Sequence, residues 1–516
     1  MRIMRWLGVA LAAVSLASVP TGRVLAQGPT TGAISGIVSD SSGTGLEGAT
    51  ITAVNQATGF RQTAQTRRGG AYTLQGLETG TYNVSARLIG YRPESRNDLV
   101  VRVTQNVRAN FQLSRQAVQL NELVTTASRG VADFNPSRQG AQSRVSDSLV
   151  RRLPNLTRNI TDLIQTSPYV ATNPSSGGVS SFAGQNARYN NIQVDGLTAV
   201  DRFGLNSDQQ LGAQANGRGI TLEAIKEFQI LLSPFDVRQG NFTGGLTNII
   251  TKNGTNDWQG SLSLQYRDQQ MSANDPLTRN TSFQRRMYAG SLGGPIVKDR
   301  LHFFVAADVN SEQAPAGGPF FGQAANSPVP VPVSQSSIDR FNTGVQRIFG
   351  FNGGAGTAVA NETPLYNVLA RLDLKINDQH RLVIRNNYNN NRTQDFGRSN
   401  ATANPFFDLT SWAFQRNDIS NSTGLQLFSN FKNGISNELQ VGYNTQDFER
   451  ILPAVAPAVI VENVPNPNGG VSRLRAGAEN SSQGNSLYQD ILEIRNDLTV
   501  PVGRHTLTFG ARGELY

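Results

Sequence analysis

The sequence predicts a mainly β protein whose second half is an antiparallel barrel crossing a membrane, and three observations predict it. Between Trp258 and Asn444, short runs alternate apolar and polar residues. The connections between those runs are long and short in strict turn, as loops on one side of a membrane and turns on the other would be. The bulk composition is too polar for membrane helices: 38% hydrophobic residues and a mean hydropathy of -0.33. After residue 26 no window approaches the roughly 18 consecutive apolar residues that a spanning helix needs. A barrel meets lipid with alternate residues only, so it escapes that test.

Residues 1–26 read as a secretory signal. Arg2 and Arg5 form its charged start, Trp6 to Val19 its apolar run, and Val24-Leu25-Ala26 the small-residue site before Gln27. The run is too short for a membrane anchor, which places the mature chain outside the cytoplasm. With no cysteine in 516 residues, disulfides, thiolate metal sites and a lipid-modified Cys are excluded. The net charge of +9 is scattered arginine with no aromatic interleaving, which argues against nucleic acid as a partner.

Residues 27–115 contain short strands, Ala33 to Val38, Ala49 to Val54, Val100 to Val107 and Ala109 to Leu113 among them, separated by turns at Ser42-Gly43 and Glu78-Thr79-Gly80. The expected unit is a small β-sandwich. The run Gly70-Ala71-Tyr72-x-Leu74-x-Gly76-Leu77-x-x-Gly80-x-Tyr82-x-Val84, with Gly90-Tyr91 after it, resembles the carboxypeptidase regulatory-like, transthyretin-like domain. That resemblance is to a non-catalytic accessory module. The three histidines, His302, His380 and His505, lack the Glu and second-His spacing of a zinc peptidase, so neither metal nor cofactor is expected.

In the linker 116–139, Leu120-Asn121-Glu122-Leu123-Val124-Thr125-Thr126-Ala127 is a β-prone stretch in polar sequence, suited to capture by strand addition. It resembles the TonB box of TonB-dependent outer-membrane receptors, with Leu123 and Thr125 where Val is frequent. By itself such a stretch is more often an ordinary linker or strand; its place before the plug-like segment favours the box.

Residues 140–255 resemble the plug domain of those receptors, which implies an α/β unit seated inside the barrel. The early helix corresponds to Leu153 through Ile164, with Leu156, Ile160 and Leu163/Ile164 on one face. The central strand and its turn correspond to Phe182 through Gly196, including Gly184, Arg188, Asn191, Asp195 and Gly196. The last two strands correspond to Glu223–Ile230, with Glu227 and Phe228, and Gly240–Lys252, with Gly244 and Gly245. Gly240, Gly244 and Gly245 are expected to permit close backbone approach. Arg188, Glu223, Lys226, Glu227 and Arg238 are expected either to pair with charges on the barrel wall or to be ordinary surface charge.

Residues 256–516 hold about nine barrel strands, near 258–267, 286–296, 301–309, 367–376, 381–388, 418–431, 435–444, 487–499 and 505–512. In the first, Trp258, Leu262, Leu264 and Tyr266 face lipid while Gln259, Ser261, Ser263 and Gln265 face the lumen. Leu301, Phe303, Val305 and Val309 oppose His302 and Asp308, and Val368, Ala370, Leu372 and Leu374 oppose Arg371 and Asp373. Long loops are expected at 268–285, 310–366, 389–417 and 445–486, with a short helix presenting Ile338, Phe341, Val345 and Ile348. Phe320, Phe321, Phe406 and Phe407 either touch ligand or pack the loops. Gly290-x-Leu292-Gly293-Gly294-Pro295-Ile296-x-Lys298-Asp299 is similar to the Oar-like subgroup. Nine is odd, bacterial barrels are even, and the family implies about twenty-two strands; the chain is therefore expected to be an N-terminal fragment.

What the resemblance implies is energy-coupled import of a small nutrient such as a siderophore, glycan or peptide into the periplasm. The partners implied are TonB with ExbB and ExbD, and outer-membrane lipid. The plug and sandwich are expected on the periplasmic side. The alternative is a structural or adhesive outer-membrane barrel without transport. A secreted enzyme is disfavoured because no Gly-x-Ser-x-Gly, phosphate-binding loop or metal cluster appears.

Overall fold

In this computed structural model the described residues are 30–115 and 142–516, apart from 154, 156, 174–178, 202–209, 233, 235, 272–282, 324–326, 402, 432–433, 454–455 and 503–504. The expected signal (1–26) and the TonB-box stretch Leu120 to Ala127 lie outside them.

The first unit is a sandwich of two four-stranded sheets. Its strands are β1 (Gly32–Asp40), β2 (Thr50–Asn55), β3 (Arg61–Gln65), β4 (Ala71–Leu77), β5 (Gly80–Arg87), β6 (Glu94–Val101), β7 (Asn106–Arg108) and β8 (Phe111–Leu113). One sheet is β4-β1-β7 with β8 also on β1, and the other is β3-β2-β5-β6. Alternate residues such as Ile34, Ile51, Leu74, Tyr82 and Val84 meet between them, each fully buried. Burial raises both tyrosine pKa values, and each phenol finds a carbonyl: Tyr72 Oη donates to Ala109 O at 2.6 Å, Tyr82 Oη to Glu78 O at 3.0 Å. Strand β3 escaped the sequence reading because its inward positions are Gln62 and Ala64, too weakly apolar to signal a strand. The strand expected from Val100 to Val107 is broken in two by a turn in which Thr104 takes φ 55°.

The second unit has a sheet ordered β13-β12-β15-β14-β9. Its strands are β9 (Gln142–Ser146), β12 (Asn191–Val194), β13 (Leu197–Thr198), β14 (Ile225–Leu231) and β15 (Leu246–Thr251); a hairpin of β10 (Val170–Asn173) and β11 (Val179–Phe182) stands beside it. The helix expected over Leu153–Ile164 is instead two short pieces, α1 (Asp147–Arg152) and α2 (Ile160–Ile164). Leu153, which precedes a proline, leaves the helical region with ψ 131°. Asn159 then caps α2 by accepting the Thr161 N–H at 3.1 Å. Ile160, Leu163 and Ile164 are buried with Phe228 and Ile249, while Leu156 lies outside the described residues.

The third unit is a nine-stranded antiparallel sheet in which each strand pairs with its neighbour in the series. Its first five strands are β16 (Gln259–Asp268), β17 (Gln284–Val297), β18 (Leu301–Pro315), β19 (Ala360–Lys375) and β20 (His380–Asp395). After β21 (Phe406–Asp408), a loop strand, come β22 (Phe414–Asn430) and β23 (Ser436–Ile451). Loop strands β24 (Val459–Pro465) and β25 (Val471–Ala476) precede the final pair, β26 (Ser486–Val502) and β27 (His505–Leu515). Leu262, Leu264, Val305, Val368 and Leu372 are exposed on the outer face, while His302, Asp308, Arg371 and Asp373 are buried inside. The faces are those expected.

The strands are longer than expected. The 17 residues of β22 span about 56 Å at about 3.3 Å each, or about 43 Å of height at about 40° tilt. An apolar band of about 25 Å leaves the remainder standing beyond the membrane. Pairing therefore consumes much of the expected loops, through polar rungs such as Asn389↔Ser420. The remaining loops fold together: α3 (Gln335–Phe349) packs Ile338, Phe341 and Val345 against Phe407, Leu409 and Leu474. Ile348, expected on that buried face, is exposed. Phe321 and Phe407 meet edge to face, and Arg473 and Arg475 lie over Phe406, so these loop aromatics pack the cap.

Candidate functional site

The plug sits against the inner face of the β16–β27 sheet, and the seam between them is mostly polar, with Phe304, Ala306 and Leu369 of the wall joining the plug's apolar core. Its centre is the turn after β12. Asp195 and Gly196 both take positive φ (49° and 81°), the geometry of a two-residue hairpin turn, for which Asp-Gly is favoured. The turn aims Asp195 at the wall. There its carboxylate accepts the Thr251 N–H (2.9 Å) and hydroxyl (2.7 Å), and pairs with Arg385 at 3.2 Å and Arg371 at 3.9 Å. Gln426 Nε2 donates to the Asp195 carbonyl at 2.6 Å. Asp195 is 3% exposed, so these bonds replace water almost completely.

Beside the turn, Leu197 fills a dent made by two glycines. Gly424 and Gly442 face each other across β22 and β23. A Cβ on either would lie 2.8 or 3.1 Å from a Leu197 methyl, so the close approach requires glycine. Next along, the Thr198 N–H donates to Glu493 Oε2 at 3.0 Å, and Glu493 is held by Arg512 at 2.9 Å.

A second charged group lies on β16 and β18. Arg158 reaches Glu223 at 2.8 Å, Ser263 Oγ at 3.1 Å and Asp308 at 3.6 Å, and Arg218 shares Asp308 at 3.4 Å. Burial opposes charge on Glu223, but hydrogen bonds from Ser261 and Arg158 outweigh it and hold its pKa below the usual carboxylate value. Around the level of Asp308 and above it, neutral side chains add to the holding, beside Arg416, which donates to Gln214 O at 2.8 Å. Asn387 donates to Gly219 O at 2.8 Å, Asn367 to Arg218 O at 3.2 Å, and Thr393 Oγ1 to Ala215 O at 2.7 Å.

The expected site residues divide accordingly. Asn191, buried, donates to Gly240 O at 3.3 Å; Phe228 is core; Lys252 pairs with Asp147 at 3.1 Å. Gly244 and Gly245 do need their hydrogen: a Cβ would come within 2.3 Å of Asn190 Oδ1 or Phe182 Cδ1. Gly184 takes φ 82°, whereas Gly240 has open space and no unusual φ, so close approach does not explain it. The charged residues expected to meet opposite charge on the wall are placed otherwise. Arg188 is exposed and makes no ion pair among the described residues, and Arg238 pairs with Asp236 beside it at 2.5 Å. Glu227 lies 3.9 Å from Arg144 within the plug, and Lys226 donates to Thr79 O (2.7 Å) and Asn253 (3.1 Å). The residues that meet wall charges, Asp195, Arg158 and Arg218, include two that sequence reasoning missed. Arg158 lay inside the expected helix; its φ of 55° is what turns it to the wall.

Comparison with known proteins adds two family matches. Residues 250–516, more than half of the chain, match the outer membrane beta barrel domain, and residues 33–114 match the carboxypeptidase regulatory-like domain. The TonB-dependent transporter Oar of Myxococcus xanthus is 25% identical over 273 residues, which cover 49% of this chain and 24% of that protein. Among solved structures, the outer membrane transporter YddB of Escherichia coli gives a TM-score of 0.50 at 12% identity, covering 72% of this chain and 47% of that one. The siderophore receptor PirA of Acinetobacter baumannii gives 0.45 at 17% identity, covering 72% and 48%. The chain thus spans about a quarter of the curated relative and about half of these structures.

Proposed function

The chain belongs to the outer membrane beta barrel domain family and resides in the bacterial outer membrane, and from that premise we propose that it works in TonB-dependent import of a small nutrient. Ligand binds from outside, on the loops and the upper surface of the plug. TonB, energised through ExbB and ExbD, engages Leu120 to Ala127 by strand addition from the periplasm. Force on that stretch displaces the plug and opens a polar path along the wall.

One observation carries this reading. The plug is held to the wall largely by ion pairs and hydrogen bonds, with Leu197 and a patch of Phe304, Ala306 and Leu369 as the apolar contacts between them, and water can replace the polar contacts when the plug moves. An apolar core of equal area would resist that exchange. The nutrient class, siderophore, glycan, peptide or similar, is set by loop residues and is found by screening growth of cells that carry the full-length gene. Deleting 119–127 from the full-length protein is expected to abolish uptake while leaving its level in the outer membrane unchanged. Uptake that survives the deletion would favour the structural or adhesive barrel.

A further inference from the structure

The sandwich is docked in the short-turn mouth of the barrel, and its contacts fall in two sets. On the wall, the turn between β4 and β5 inserts Glu78 between Arg381, with which it forms a close ion pair, and Arg371, at 3.5 Å. Thr30 Oγ1 donates to Glu438 at 3.2 Å, Ser436 Oγ to Gln75 Oε1 at 3.0 Å, and the Asn256 N–H to Ala57 O at 2.8 Å. On the plug, Lys226 donates to Thr79 O at 2.7 Å. The Val103 N–H donates to Glu227 at 3.2 Å, and its carbonyl accepts from Arg144 (3.0 Å) and Gln229 (3.1 Å). Glu78 and Thr79 are each 8% exposed, and Val103 is fully buried although it stands in a turn.

We propose that the N-terminal sandwich is a second gate below the plug, latched by Glu78 in a cationic socket that wall and plug build together. The socket consists of Arg371, Arg381 and Lys226, partly balanced by Asp373, which Arg371 grips at 2.8 and 2.9 Å, and by Asp195, 3.9 Å from Arg371 and shared with Arg385. Glu78 supplies the carboxylate that this group of cations lacks. The turn is braced for the task, because Tyr82 Oη holds the Glu78 carbonyl. Burial lowers the Lys226 pKa, a cost borne where the latch closes. The sandwich grips the edge strand β9 and its neighbour β14 of the plug and the rim of the barrel at once, so a plug leaving toward the periplasm must first shed it. The interface is built of ion pairs and hydrogen bonds, with Phe60 beside Arg381 at 5.9 Å, so it can open and close reversibly.

The gating step rests on the transport reading, while the latch does not, and the experiment separates them. These 516 residues hold no cysteine, and with any thiol elsewhere in the full-length protein replaced by serine an introduced thiol is unique. In the full-length protein in outer-membrane vesicles, Thr79→Cys is expected to react slowly with a hydrophilic maleimide. Adding Glu78→Gln is expected to raise the rate at least tenfold, and the charge exchange Glu78→Arg with Arg381→Glu to restore slow labelling. A rate unchanged by Glu78→Gln overturns the latch. In cells, Gln75→Cys and Ser436→Cys are joined with a short reducible bis-methanethiosulfonate. Import is expected to stop on joining and to return on reduction; import undiminished in fully joined protein overturns the gate. If the unjoined pair imports nothing, the transport reading fails and the labelling still decides the latch.

Discussion

Replacing Asp195 by Asn tests the seam at its centre. Asn keeps the volume, and its carbonyl oxygen still accepts the Thr251 N–H, so the substitution isolates the charge. Arg371 retains its two bonds to Asp373, but Arg385, 3% exposed, is left with the Val194 carbonyl at 3.1 Å. Breaking a buried pair by removing one partner costs about 3–5 kcal/mol. Arg385 keeps the Val194 carbonyl as an acceptor, which places the effect near the lower end, at about 3 kcal/mol. At about 1.4 kcal/mol per tenfold change, the plug should open about 100-fold more often. The readout is the labelling rate of Ile249→Cys, buried in the plug core, in the full-length protein under conditions where opening and closing outpace reaction. Arg188→Ala is the control. It is exposed and should shift opening by less than about 0.5 kcal/mol. If Asp195→Asn stays within threefold of that control, the claim that paired charge retains the plug is wrong.

Three further outcomes follow from the same geometry. Leu197→Ala empties the dent at Gly424 and Gly442 and should weaken plug retention by about 2–3 kcal/mol, read by the same labelling; no change would mean the knob adds nothing. The Glu223 pKa is depressed below its ordinary 4.5, so its contribution is complete above that value and is lost as pH falls through the lower value held in the plug. Plug opening should therefore rise below about pH 4.5, and Glu223→Gln should flatten that rise; two profiles of equal slope would refute the assignment. Val305→Arg puts a cation on the lipid face in the middle of the apolar stretch Leu301 to Val309 of β18 and should destabilise the barrel in vesicles by about 2–4 kcal/mol, measured by urea titration. Tolerance of the arginine would contradict the outward assignment of that face.

The faces of the barrel were legible because a period of two leaves a mark in every strand, and Arg371 with Asp373 among apolar neighbours marked the lumen side. Strand ends were not legible. Once β19 to β23 leave the membrane, hydrogen-bonded rungs continue on Asn, Ser and Thr, residues that read as loop when taken one at a time. The seam was partly legible. Asp195-Gly196 announced a turn, but nothing in the sequence says that this turn faces Arg385, because that partner lies 190 residues away on another domain. Arg398 is a similar case. It donates to the carbonyls of Asp408 (2.8 Å), Thr357 (2.9 Å), Pro319 and Ala355 (both 3.3 Å), so one cation ties together three loop segments that show no common pattern in sequence.

The seam mixes charged and neutral contacts along the barrel. Arg371, Asp373 and Arg381 stand close to the short turn 376–379, where Asp195 and Glu78 meet them. Asn387 and Thr393 stand farther up β20 and hold Gly219 and Ala215 with neutral bonds. A neutral hydrogen bond contributes about 1 kcal/mol net, and one to a charged group about 1.5–3 kcal/mol. Charge nevertheless recurs farther up. Asp308, paired with Arg158 and Arg218, stands on the rung of Asn367, and Arg416, on the rung of Thr393, donates to the Gln214 carbonyl at 2.8 Å. The plug is therefore pinned by charge at more than one height, with neutral bonds between, and displacing either end of it requires several charged contacts to separate together.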